Sequence, residues 1–169
     1  ALAAVPRYER TTAMVPTPGG GCYLFDVFRV AGGQDHAFFL HGTFGTVQAE
    51  GLTLAPAADY GHGALLRNFC AARVSEPYWR CRWRAEDRYG LLGRGADVGM
   101  VYTGLTGDVE LNTCEAWVNA GNYNVKAEAW LPTVMARRRS AEGVLRSTFA
   151  GILEPFEGNT VITSIRRLE

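Results

Sequence analysis

The sequence predicts an all-β protein, a two-layer antiparallel β-sandwich of about ten short strands with little helix. Apolar runs rich in aromatic and β-branched residues recur along it, as strands buried on one or both faces require. Turn residues interrupt them at intervals of roughly 8–12 residues, the spacing of sandwiches and barrels. Only one window has helical spacing.

From the N-terminus, RYERTTAMV (Arg7 to Val15) is a first strand, closed by the turn residues PTPGGG. The stretch from Tyr23 to Gly42, YLFDVFRVAGGQDHAFFLHG, follows as a β-hairpin. Its two apolar runs flank Gly32-Gly33 and form the central pair of the sandwich. TFGTVQAEGLTL supplies another strand pair around Glu50-Gly51, and APAADYGHG is a loop. In ALLRNFCAARV (Ala64 to Val74), Leu65, Leu66, Phe69, Cys70 and Val74 have helical spacing, read as one short helix or an irregular crossing. YWRCRWRAED then alternates, with Trp79, Cys81 and Trp83 inward and Arg80, Arg82 and Arg84 outward. GLLGRG, ADVGMVYTGL and DVELNTCEAWV continue as short strands, and NAGNYN is a loop. TVMARRR and VLRSTFAGIL around SAEG form a second hairpin, and TVITSIRRL closes the chain as a last strand.

A chain of 169 residues, 47% hydrophobic and 20% charged, suffices for one core and is short for two, so residues 1–169 form one domain. Seventeen basic and seventeen acidic residues cancel, leaving no overall field to attract nucleic acid or an anionic membrane. No apolar run approaches the ~20 residues that cross a bilayer. The start, ALAAVPRYER, lacks an initiator Met and the order of a signal peptide, and is read as the start of a fragment. Lys126 is the only lysine, and the other sixteen basic residues are arginines. Genomic base composition accounts for such a bias, and a surface for carboxylate or sulfate is the functional alternative. Cys22, Cys70, Cys81 and Cys114 form no CxxC pair and are read as buried thiols, with one or two disulfides as the alternative.

No GxSxG, HExxH or phosphate-binding GxxxxGK[ST] motif occurs, so hydrolysis and phosphoryl transfer find no motif. His36 and His41 lie five apart on one strand and point to opposite faces, so they do not chelate one metal together. His36 sides with Phe38 and Leu40, and His41 with Ala37 and Phe39. His62 falls in the Gly-rich loop and is read as solvent-exposed. Asp26, inside an apolar strand, needs Arg29, another arginine or a backbone donor, because an unpaired buried carboxylate is costly. Arg137 and Arg139 share a strand face that Arg138 does not, either a carbohydrate-facing patch or a solvated edge that discourages strand addition. Trp79 and Trp83 are read as core. Trp130, after the Asn-rich loop, is the better candidate for an exposed sugar platform.

The ordered set YLFDVFRVAGG, HAFFLHG, WRCRW, ARRR and LRSTFAGILEPFEG resembles the C-terminal β-sandwich region of heparinase II/III-like polysaccharide lyases, from about Arg7 to Leu168. Members of that family join an α/α toroid to β-sandwich layers and cleave uronic-acid polysaccharides by β-elimination. A base removes the C5 proton while a neighbouring group offsets the carboxylate charge. The toroid and an HxH segment, which carry most of that chemistry in the family, are not in this sequence. The resemblance therefore implies a domain without catalytic residues that supports a toroid and forms one wall of a glycan cleft. Its partners are an acidic polysaccharide or oligosaccharide and the toroid region or a chain carrying it, with Trp130, Arg137 and Arg139 as contacts. His41 of FFLHG matches the position that completes a structural zinc site in some members, so zinc binding is expected only with further ligands upstream of Ala1. The location implied is the periplasm or outside the cell. The alternative reading is a stand-alone carbohydrate-binding module, and a third is a structural sandwich with no ligand.

Overall fold

The computed structural model describes residues 5–61, 63–121 and 124–168. Among them are eleven strands and no helix, in two antiparallel sheets packed as a sandwich. Sheet one runs in the order β1 (Arg7–Pro16), β2 (Cys22–Ala31), β11 (Arg146–Glu157), β8 (Val98–Gly104), β7 (Trp79–Ala85), β4 (Gly45–Glu50). Sheet two runs β3 (Asp35–His41), β10 (Glu128–Arg139), β9 (Val109–Asn119), β6 (Leu66–Val74), β5 (Ala55–Pro56). The all-β sandwich expected from the sequence is thus the observed architecture.

Its connections differ from those expected. β2 and β3 are not a hairpin: β2 pairs with β1 and β11, whereas β3 is the edge strand of the other sheet and pairs with β10. The second expected hairpin, β10 to β11, also crosses between sheets. The expected strand pair around Glu50-Gly51 is not formed either: its first half is β4, residues 52–54 are not a strand, and β5, in the segment read as a loop, belongs to the other sheet. Packing explains the arches. Phe28 of β2 and Phe38 of β3 face each other across the core with ring centroids 6.0 Å apart. Phe149 of β11 stacks on both, at 6.1 and 5.7 Å. A hairpin would put the two runs in one sheet, whereas an arch lets each fill the core from its own side.

The two arches lie side by side. Gly32 N–H donates to the Leu145 carbonyl (3.0 Å) and Leu145 N–H to the Gly33 carbonyl (2.9 Å). Gly32 and Gly33 both have positive φ, 112° and 68°, which glycine adopts without Cβ strain. Buried His36 bonds to both sides: Nε2 lies 2.5 Å from the Gly32 carbonyl and Nδ1 2.9 Å from Ser147 Oγ. A carbonyl only accepts, so Nε2 carries the proton, and in the neutral ring Nδ1 accepts from the Ser147 hydroxyl.

The segment expected as a helix or irregular crossing is strand β6. A bulge between Arg67 and Cys70, with Asn68 at φ 58°, breaks the alternation. Leu66 and Phe69, three apart, therefore join one cluster and mimic a helical period. GLLGRG is not a strand but a turn in which the Asp87 carboxylate accepts from Leu91 N–H (2.8 Å) and Leu92 N–H (2.9 Å). TVITSIRRL is not a strand either. It crosses the outer face of sheet one, where the Glu154 carboxylate accepts from Val161 N–H (2.5 Å) and Ile162 N–H (2.8 Å).

The main core lies between the sheets and takes Trp79, Cys81 and Trp83 from β7, as alternation predicted. Asp26 faces inward, 1% exposed, and neither Arg29 nor a backbone donor is its main partner. Arg10 of β1 reaches both carboxylate oxygens, Nε at 2.9 Å and Nη2 at 2.8 Å. That bidentate pair raises the Arg10 pKa against the opposing effect of burial. Close ring packing sets further limits. A Cβ on Gly104 would overlap the indole of Trp79, which is buried and held by its Nε1–H to the Thr106 carbonyl (2.9 Å). Gly104→Ala should therefore destabilise the fold by about 1–3 kcal/mol, read as a lower urea midpoint at unchanged m-value.

Candidate functional site

His41 ends β3 on the face opposite His36, exposed where His36 is buried. Its Nδ1 lies 3.2 Å from Thr133 Oγ1 on β10, and its ring stacks beside Phe39 at 6.3 Å. Nε2 is the nitrogen that remains for a metal. Among the described residues no group of three or more His, Cys, Asp or Glu side chains gathers. Zinc takes three or four protein ligands, so a zinc ion on His41 would draw its others from outside the described residues. His62 also lies outside the described residues.

Trp130 does not share a site with Arg137 and Arg139. Seven residues of β10 separate it from Arg137, about 23 Å at ~3.3 Å per residue, and the odd count turns it to the opposite face. Trp130 is half-buried rather than an open platform. The Arg67 guanidinium lies 3.9 Å from its ring centroid, and its Nε1–H donates to Glu128 (2.8 Å). Arg67 is itself held by Glu115 at 2.7 Å, so one face of the indole is already occupied.

Arg137 and Arg139 do share a face, the outer one of sheet two. A second apolar cluster there, Phe69, Cys114 and Met135, is covered by Ala57 and Tyr60 from the loop after β5. Beside it is a cleft of about 330 Å³, with Asp59, Tyr60, Glu110, Arg137 and Arg139 among its walls. Arg137 forms a bidentate pair with Asp35, and its guanidinium lies 4.9 Å from the Tyr60 ring centroid. Arg139 is held by Glu110 at 2.6 Å. Burial first, and then the Asp35 carboxylate, push the Tyr60 phenol pKa up, while Asp35 also raises that of Arg137. With Asp35, Asp59 and Glu110 against two guanidinium groups, the cleft carries one excess negative charge. A glycan carboxylate would have to compete for arginines already paired.

Sequence reasoning missed Tyr60, Asp35 and Glu110 as members of this cleft. Asp35 and Glu110 could have been found from cross-strand register, since they stand opposite Arg139 and Arg137 respectively. Tyr60 sits in a loop and carries no such signal. A second acidic residue inside an apolar run, Glu154 of GILEPF, is 4% exposed and carried the same sequence signal as Asp26.

All four cysteines are free thiols. Cys81 and Cys114 are buried, and desolvation pushes each thiol pKa from its ordinary 9.0 up to about 12. Neither supplies a thiolate nucleophile near neutral pH.

Compared with known protein families, with curated proteins and with solved structures, the chain matches none.

The thiols set a pH dependence. In the unfolded chain they lose their protons near pH 9.0, in the fold only near 12, so the stability linked to them is complete below pH 9 and is lost as pH rises toward 12. Mass spectrometry after iodoacetamide treatment of the native protein at pH 8 should find Cys22 and Cys70 alkylated well before Cys81 and Cys114. Denaturant midpoints should fall on going from pH 8 to 10, and less so in a Cys81→Ala, Cys114→Ala variant than in the parent.

Proposed function

We propose that this chain is a β-sandwich domain of a heparinase II/III-like polysaccharide lyase, packed beside the α/α toroid and forming one wall of a cleft for an acidic glycan. The observation that supports this best is the uncovered face of β1. Sheet one has one strand more on this side than sheet two: β3, the edge of sheet two, stands against β2 through Phe38 and Phe28. β1 therefore extends past its neighbour with Tyr8 73% and Met14 70% exposed. Tyr8, Arg10, Phe28 and Phe38 border an open groove of about 220 Å³ there, suited to a neighbouring domain. The periplasmic or extracellular setting, and a zinc ion completed at His41 by ligands from the preceding region, belong to the same proposal.

Two measurements test it. The coding sequence upstream of Ala1 should specify a toroid and an HxH segment, and its absence overturns the reading. Incubated alone with uronate polymers, the chain should give no ultraviolet absorbance of unsaturated product; clear turnover would contradict a purely supporting role.

The second reading, a stand-alone carbohydrate-binding module, draws on the cleft where an aromatic ring, two arginines and carboxylates stand together, the mixture that grips sugar rings and hydroxyls. A glycan array separates the two. Specific affinity of the isolated chain, lost in Tyr60→Ala and kept in Trp130→Ala, favours the module and its cleft; no affinity leaves the supporting role.

A further inference from the structure

On the outer face of sheet one, the C-terminal segment roofs a pocket that neither reading above uses. Its floor comes from three adjacent strands. Arg80 of β7 stands directly opposite Thr103 of β8, and Glu154 of β11 stands opposite Val101, two residues from Thr103. Two strand spacings, about 10 Å, separate the backbones carrying the guanidinium and the carboxylate. Ile162 and Ile165 line the roof, and Tyr78, 42% exposed, stands at the side. The space is about 140 Å³, where a water molecule needs only roughly 10–15 Å³.

Three features mark the pocket as more than a packing gap. The hydrogen bonds that Glu154 accepts from Val161 and Ile162 both end on Oε1, which leaves Oε2 as an acceptor for something else. Nε of Arg80 is buried without a hydrogen bond, 3.1 Å from Glu50 in an ion pair of poor hydrogen-bond angle. Tyr78 keeps a left-handed backbone, φ 70°, held by its N–H to the Gly104 carbonyl at 2.7 Å. Such strain in a bulky residue is characteristic of ligand clamps and active sites.

We propose that this pocket binds one uncharged, pyranose-sized ring through a vicinal diol, with Glu154 accepting from one hydroxyl, Arg80 donating to its neighbour, Thr103 between them and Tyr78 against the ring. Charge selects the class. Glu154 and Arg80 are the charged side chains of the lining, and Glu50 is shared between Arg80 and Arg82, so the charges balance and favour an uncharged ligand, while a diol supplies the donor and acceptor the two side chains need. Ile162 and Ile165 offer an apolar surface to the C–H face of a ring. The inference is independent of the lyase reading, because a domain that only supports a toroid would still hold the pocket.

The test is an NMR titration of the chain with methyl glucoside, methyl galactoside, methyl mannoside, the corresponding free hexoses and methyl glucuronide. At least one neutral probe should shift the methyl signals of Ile162 and Ile165 and the ring signals of Tyr78. Binding of a free hexose but of no methyl glycoside assigns the site to free monosaccharide; binding of both assigns it to the end of a saccharide chain. Thr103→Val, isosteric and suited to a strand, should weaken binding at least about tenfold, as should Glu154→Gln, which keeps an oxygen for the two roof amides. Tyr89→Ala, outside the pocket, should change nothing. Absence of shifts with every neutral probe, unchanged affinity in both pocket variants, or a preference for the glucuronide would overturn the proposal.

Discussion

The sandwich depends on the stacking of Phe28, Phe38 and Phe149 across the core, because that contact requires β2 and β3 to lie in different sheets. Once they do, β10 and β11 must cross beside them, and the two arches exchange backbone hydrogen bonds through Gly32, Gly33 and Leu145. His36 then has a buried place between Gly32 and Ser147, where both ring nitrogens are satisfied. The same arrangement leaves β1 beyond the facing sheet, attached through one ladder and through Arg10 on buried Asp26.

Charge is distributed by the same economy. Removing one partner from a buried ion leaves the other uncompensated, so a carboxylate in the interior of this fold must bring its donor with it. Asp26 has Arg10, and Glu154 has two backbone amides. On the surfaces, the arginine bias of the composition is largely taken up by ladders such as Glu50 with Arg80 and Arg82, or Asp35 with Arg137. Exposed pairs of this kind contribute little stability, about 0–1 kcal/mol each. Their main consequence is for recognition: the predicted arginine contacts are not a bare cationic surface awaiting an acidic polymer.

Much of this was legible in the sequence where one strand decides its own pattern. Trp79, Cys81 and Trp83 alternate with three arginines and are core as read. The parity of His36 and His41, and of Arg137 and Arg139 against Arg138, needed only the two-residue period of a strand. What failed required knowledge of partners. A Gly-Gly turn between two apolar runs fits a hairpin and an arch equally well, and only the opposing aromatic rings choose. The bulge at Asn68 brought Leu66 and Phe69 to one face and imitated a helix. TVITSIRRL has the alternation of a strand, yet Glu154 binds its amides and holds it across a sheet face instead. Trp130 looked exposed because Arg67, which covers it, is remote in sequence.

The placement of β2 and β3 in separate sheets is the claim from which the arches, the His36 bridge and the free face of β1 all follow. Backbone NOE connectivities measure it directly. The structure predicts cross-strand contacts between β2 and β11, as at Leu24 and Leu153, and between β3 and β10, as at Phe39 and Met135, with no ladder between β2 and β3. A regular antiparallel ladder running from the Gly32-Gly33 turn back along both strands would contradict it.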